Sequence, residues 1–158
     1  MKTLTIPGKP VGKGRPRMTR AGHVYTPAKT ENYEAYVKAL WVQEHGNEVA
    51  FPDEAVVLSV SVSMATPKST SKRKREAMLD GEIMPTKKPD LDNILKIVAD
   101  ALNGLAYTDD KQIVGVTMIK GYSEHDGVDV MVQSFGETIL PAAGEGGEYA
   151  RMRAKGGA

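Results

Sequence analysis

From Leu91 to Leu105 apolar residues return at steps of three and four: Leu91, Ile94, Leu95, Val98, Leu102 and Leu105. A stripe of that period is a helix with one face against a core and the other in water. Pro89 is tolerated just before or at a helix start, so the helix is predicted to begin near Asp90 or Leu91. Asn103-Gly104 supplies the stop. Whatever else the chain does, it must cover this stripe.

The polar side of the same helix carries the chemistry. Asp92 and Lys96 stand four residues apart, one turn along one side, and Asp90 lies just before the first turn. Asp90 and Asp92 can therefore converge on one ion. Past Gly104 the chain has only a few residues before Asp109-Asp110, and residues 112–120 read as a β-branched strand with Ile113, Val114, Val116, Thr117 and Ile119. A short reversal at the strand entrance is expected to return one of these two carboxylates to the helix as a third oxygen donor. Magnesium takes a few carboxylates and keeps waters, leaving room for a phosphate, so three aspartates suit an open site for phosphodiester cleavage.

Each piece also has a plain reading. Asp at a helix start is ordinarily a cap. Asp92 with Lys96 is ordinarily a surface ion pair, and Asp109-Asp110 is ordinary turn chemistry. The combination within one helix-strand unit is what favours a metal site. A calcium-binding EF-hand loop is excluded, because Leu95 stands where its glycine belongs and Ala101 where its glutamate belongs.

These residues resemble a known family. Lys88-Pro89-Asp90-Leu91-Asp92-Asn93 with Lys96, then Asp100-Ala101-Leu102, then Asp109-Asp110 with Gln112-Ile113-Val114, is similar to the RusA family of Holliday-junction resolvases, endodeoxyribonucleases often carried by phages and prophages. The likeness spans roughly residues 3–132. It implies that Asp90, Asp92 and Asp110 are metal-binding catalytic aspartates and that Lys96 is the functional lysine, with Mg2+ as cofactor and Mn2+ as a substitute. It assigns no firm role to Asp100 or Asp109. Some members place a basic residue directly before the first aspartate, where this chain has Pro89.

Charge is distributed as a DNA-cutting enzyme requires. The net is only +1, yet no acidic residue precedes Glu31, while Lys13, Arg15, Arg17 and Arg20 crowd a glycine- and proline-rich loop fit to follow a phosphate backbone. Tyr25, at the end of that loop, is expected to pack against the core, with stacking on a base as the alternative. A second basic run, Lys72, Arg73, Lys74 and Arg75, falls on a predicted short helix, with Lys87 and Lys88 further on. A lysine-rich helix face is more often merely solvated, so its phosphate contact rests on the nearby acids. Carboxylates between Asp90 and Asp110 would repel DNA unless a cation sat among them. This favours a nuclease over two rivals: a DNA-binding protein without catalysis, which has no use for the acids, and a metal-dependent nucleotide phosphohydrolase, which has no use for the long basic segments. A phosphate-loop NTPase fits worse, since residues 8–13 have one residue too few between the glycines and Gly14 replaces the required Ser or Thr.

A chain of 158 residues is expected to form one domain. It has no cysteine, hence no disulfides or thiolate zinc, which suits the cytoplasm of a bacterial or phage-infected cell. No apolar run reaches the length of a membrane span. The predicted elements are a strand at residues 2–7, a helix at 30–45 capped by Thr30 with Tyr33, Val37, Leu40 and Trp41 inward, a strand at 55–64 with Val56, Leu58, Val60 and Val62 on one face, and strands at 112–120 and 128–133 joined as a hairpin. They compose an α+β domain, a mixed sheet covered by helices, over residues 1–136. Residues 137–158, rich in Gly and Ala, are expected to be a disordered tail. Resolving a four-way junction takes two nicks from one site per chain, so a two-fold homodimer is expected.

Overall fold

The long alternating segment is the centre of the fold. In the computed structural model, which describes residues 1–137, Val56–Ala65 forms strand β4 with Val56, Leu58, Val60, Val62 and Met64 in the core. The sheet around it also contains β1 (Lys2–Pro7), β5 (Ile113–Ser123) and β6 (Gly127–Ser134), in the order β1-β6-β4-β5. β4 runs parallel to β5 and antiparallel to β6, and β1 is antiparallel to β6. The result is the mixed sheet of an α+β domain.

The hairpin expected between the last two strands does not form. β5 and β6 are consecutive in sequence, but β4 lies between them and pairs with both. The connection arches over the end of β4, where the Asp126 carboxylate accepts from the Ala65 backbone N–H at 2.8 Å and Thr66 N–H donates to Ser123 O at 3.2 Å. The turn residues at 123–127 specify a reversal but not its partner, and β4, with one apolar face along its length, takes the place between the two strands.

Two helices cover one face. α1 (Ala28–His45) buries Tyr33, Val37 and Trp41, as its spacing predicts, with Leu40 partly buried against the same core. Its start is two residues earlier than expected, with Pro27 at the N-cap and no side-chain cap. Thr30 is therefore inside the first turn, buried, and its Oγ1 accepts the Gly14 backbone N–H at 3.0 Å. α3 (Leu91–Leu102) buries Ile94, Ile97, Val98 and Leu102, and stops at Asn103, followed by Gly104 at φ +76°. Its period is the one read from sequence, except that Leu105 lies beyond the helix end. The short basic helix α2 (Lys72–Leu79) forms where predicted and packs on β5. No helix among the described residues is long and apolar enough to cross a membrane. Apart from Glu137, the predicted tail lies outside the described residues.

Candidate active site

Asp90 occupies the N-cap of α3 in extended backbone conformation, yet its side chain makes no capping hydrogen bond. The hydrogen bond that would make this aspartate an ordinary cap is thus missing. Asp92 sits in the first turn, and no salt bridge among the described residues joins it to Lys96. Both carboxylates and the Lys96 ammonium face solvent. Two like charges at the positive end of a helix dipole, neither in a salt bridge among the described residues, are suited to an external cation.

The basic loop is fastened to this turn. Lys13 N–H donates to Asn93 O at 2.8 Å, and a Cβ placed on Gly12 would come within 3.0 Å of the Asn93 Cβ and 3.2 Å of the Pro89 Cβ. A side chain at position 12 would crowd the acidic turn, because the loop lies directly on it. On its other side Gly14 abuts α1, where an added Cβ would meet Thr30 Oγ1 at 2.9 Å. Lys13 itself turns inward: its Nζ reaches Glu34 at 2.6 Å and also the Asp100 carboxylate. Burial alone would lower the pKa of this ammonium, but the hydrogen bonds to Asp100 and Glu34 outweigh it and raise the value. Of the loop's basic residues, Lys13 anchors, and Arg15, Arg17 and Arg20 remain exposed. Beyond the anchor, β2 (Arg17–Met18) and β3 (Val24–Tyr25) form a small ribbon with Arg17 opposite Tyr25. Tyr25 is 47% exposed, so it does not pack on the core as expected. Lys72, Arg73, Lys74 and Arg75 on α2, and Lys87 and Lys88 before α3, are exposed as well.

The second acidic pair divides into two roles. Asp109 caps the 3-10 turn Asp110–Gln112: its side chain accepts the Lys111 backbone N–H at 3.0 Å while Gln112 Oε1 accepts from the Asp109 N–H at 3.0 Å. The Lys111 N–H is the main cause holding the Asp109 carboxyl below its ordinary pKa, against the opposing effect of desolvation. Gln112 fixes the whole turn by donating to the carbonyls of Phe51 and Glu54 at 2.9 and 2.8 Å. Asp109 is thus turn chemistry, and Asp110 is the exposed neighbour.

The reversal does not carry Asp110 to the start of α3. Tyr107, fully buried, donates its hydroxyl to Ala99 O at 2.9 Å, and its pKa is raised first by burial and then by the charges of Asp110 and Asp100. Asp110 therefore keeps company with the last turns of α3. The strand gives the same answer. Lys120 Nζ touches Pro89 O at 3.1 Å, whereas Asp110 precedes the other end of β5, and about 3.3 Å per residue puts about 20 Å of strand between them. Among the described residues no three Asp, Glu or His side chains gather closely enough to hold an ion. The donor chemistry of Asp90, Asp92 and Asp110 suits a hard divalent cation, but one chain divides it between the two ends of a helix.

Sequence reasoning missed Lys120. It lies on β5 with Met118 and Tyr122, partly buried on the helix-covered side of the sheet, and donates to Lys87 O at 2.8 Å and Pro89 O at 3.1 Å. The available signal was its parity: a lysine between two apolar residues facing the core.

A family model described as endodeoxyribonuclease RusA matches residues 7–133, a span running from the end of β1 through the basic loop and both acidic turns into β6. The chain belongs to the RusA endodeoxyribonuclease family. The resemblance read from Asp90, Asp92 and Asp110 is thereby placed on most of the fold. The chain is also similar to an uncharacterized protein of Bacillus subtilis (strain 168), YqaN. They are 42% identical over 135 residues, covering 82% of this chain and 94% of that protein.

Proposed function

We propose that this chain is a magnesium-dependent, structure-selective endodeoxyribonuclease that resolves four-way DNA junctions by paired symmetric nicks in recombination and repair. The reading rests on family membership, and the observation that carries it is the exposed acidic turn beside the fastened basic loop: Asp90 and Asp92, in no salt bridge among the described residues, at the start of α3, with Gly12 and Lys13 laid on Asn93. Asp90, Asp92 and Asp110 would hold the ion, which when bound polarises the scissile phosphate and lowers the pKa of a water. Lys96, one turn from Asp92, supplies positive charge towards a leaving or attacking oxygen. Arg15, Arg17 and Arg20, together with Lys72, Arg73, Lys74, Arg75, Lys87 and Lys88, engage the backbone on either side. The anchored Lys13 holds the loop in place for them.

A homodimer answers two requirements together. Paired nicks need two sites, and α3, with its 12 residues and length of about 18 Å, keeps Asp110 from joining Asp90 and Asp92 within one chain. A second copy related by a two-fold axis can bring its Asp110 to the first copy's Asp90 and Asp92. The direct test presents the purified full chain with a synthetic four-way junction, linear duplex and free nucleotides, in magnesium and in chelator. Symmetric nicking of the junction in magnesium alone is expected. Hydrolysis of nucleotides, or junction binding without cleavage in any divalent metal, would replace this reading with one of its rivals.

The basic loop yields a separate expectation. Replacing both Arg15 and Arg17 by alanine removes two phosphate contacts, so the slope of log affinity against log salt should become shallower by about 2. Filter binding over a salt series measures it. An unaltered slope takes these arginines off the DNA.

A further inference from the structure

The segment before α3 has no regular structure, yet Asp90 at its end must be held in register with Asp92. Two side chains of β5 hold it. Lys120 Nζ donates to the carbonyls of Lys87 and Pro89, at 2.8 and 3.1 Å, on either side of Lys88. Tyr122, two residues on and on the same face, lies under the Lys87 ammonium, 5.7 Å from the ring centroid. A lysine on a strand usually runs its charge out to water along an apolar stem. This one stays partly buried on the covered face, and no carboxylate among the described residues pairs with it. Its two charge-assisted bonds go to backbone, where they fix a path of the chain and neutralise no acid.

We propose that Lys120 is a positioning residue that clamps the Lys87–Pro89 carbonyls to the sheet and thereby sets Asp90 relative to Asp92. The assignment rests on the function proposed above only for its effect on cleavage; the clamp itself is a matter of structure. With the clamp intact, the Asp90 carboxylate leaves a fixed backbone at the mouth of α3. Without it, residues 87–90 keep, among the described residues, the Ile94 N–H bond to Asp90 O, the Lys87–Tyr122 contact and the loop lying over Pro89, none of which holds the Lys87 and Pro89 carbonyls. The divalent ion would then have to order the segment as it binds, weakening its binding and lowering the turnover number.

The experiment uses the full chain as wild type, Lys120→Met and Lys120→Arg. Backbone 15N relaxation of the metal-free proteins reads the Lys88 and Asp90 amides, Mn2+ binding is followed by paramagnetic resonance, and junction cleavage is resolved into turnover number and junction affinity. Lys120→Met is expected to lower the order parameters at Lys88 and Asp90, weaken Mn2+ binding about tenfold and reduce turnover about tenfold, with junction affinity changed less than about twofold. Lys120→Arg, which keeps charge and donors, should recover most of each loss. Amides as rigid in Lys120→Met as in wild type overturn the clamp. Loosened amides with unchanged Mn2+ affinity and turnover overturn its positioning role. A wild-type chain that cuts no DNA sinks the proposed function instead, and the relaxation and Mn2+ measurements still judge Lys120.

Discussion

Asp92→Asn is expected to cut the rate of junction cleavage by about a thousandfold or more while the protein stays folded and still binds DNA. Asparagine keeps the shape and removes the charge. A metal-held carboxylate contributes several kcal/mol to a transition state that gains charge, and about 1.4 kcal/mol is a factor of ten. The fold should hardly notice, because Asp92 is exposed, caps nothing and pairs with nothing among the described residues. The loss of its favourable interaction with the helix dipole costs about 0.3–1 kcal/mol. Asp110→Asn should lose cleavage to a similar extent. Mixing the two inactive variants then distinguishes how the site is built. If Asp110 serves the Asp90 and Asp92 of a second copy, an exchanged heterodimer has one site with all its carboxylates and one with two defects, so nicking of a single strand returns. If each chain builds its own site, both remain defective and no activity reappears. Single-turnover cleavage of an end-labelled junction after subunit exchange measures this. Persistence of wild-type cleavage in Asp92→Asn would remove the acidic turn from the chemistry.

What could be read from sequence was local. The α3 stripe, the two faces of β4 and the burial of Tyr33, Val37 and Trp41 follow from period and propensity within one element, and all are present. What escaped was set by partners distant along the chain. Lys13 looks like a phosphate contact in a loop without acids, but Glu34 and Asp100 come to it from α1 and α3. Thr30 has the character of a cap, and becomes the acceptor for Gly14 because the helix starts earlier at Pro27. Asp109 and Asp110 are indistinguishable as letters; the capping box with Gln112 assigns the first to the turn. The separation of Asp110 from Asp90 depends on which end of α3 the reversal meets, and no spacing encodes that. Composition gave the chemistry of the donors, while topology decided where they stand.

α3 also allows stability to be separated from catalysis on a single helix. Ile97, five residues after Asp92, is fully buried on the face opposite to solvent. Ile97→Ala removes a branched side chain from a packed interior and leaves a cavity that the surrounding sheet fills only in part, at a cost of about 2–5 kcal/mol. With a melting shift of about 2–4 °C per kcal/mol for a domain of this size, the transition should fall by about 10 °C. Cleavage per folded molecule, measured well below that transition, should stay within about threefold of wild type, because Asp90 is held by its N-cap position and the Lys87–Pro89 segment rather than by the packing of Ile97. The contrast with Asp92→Asn is the informative part: one variant keeps its melting temperature and loses turnover, the other loses melting temperature and keeps turnover. Thermal denaturation followed by circular dichroism, with cleavage assayed at low temperature, reads both. A fully folded Ile97→Ala that no longer cuts would mean that the acidic turn is aimed by the core itself, and the two faces of the helix would then have to be treated as one coupled unit.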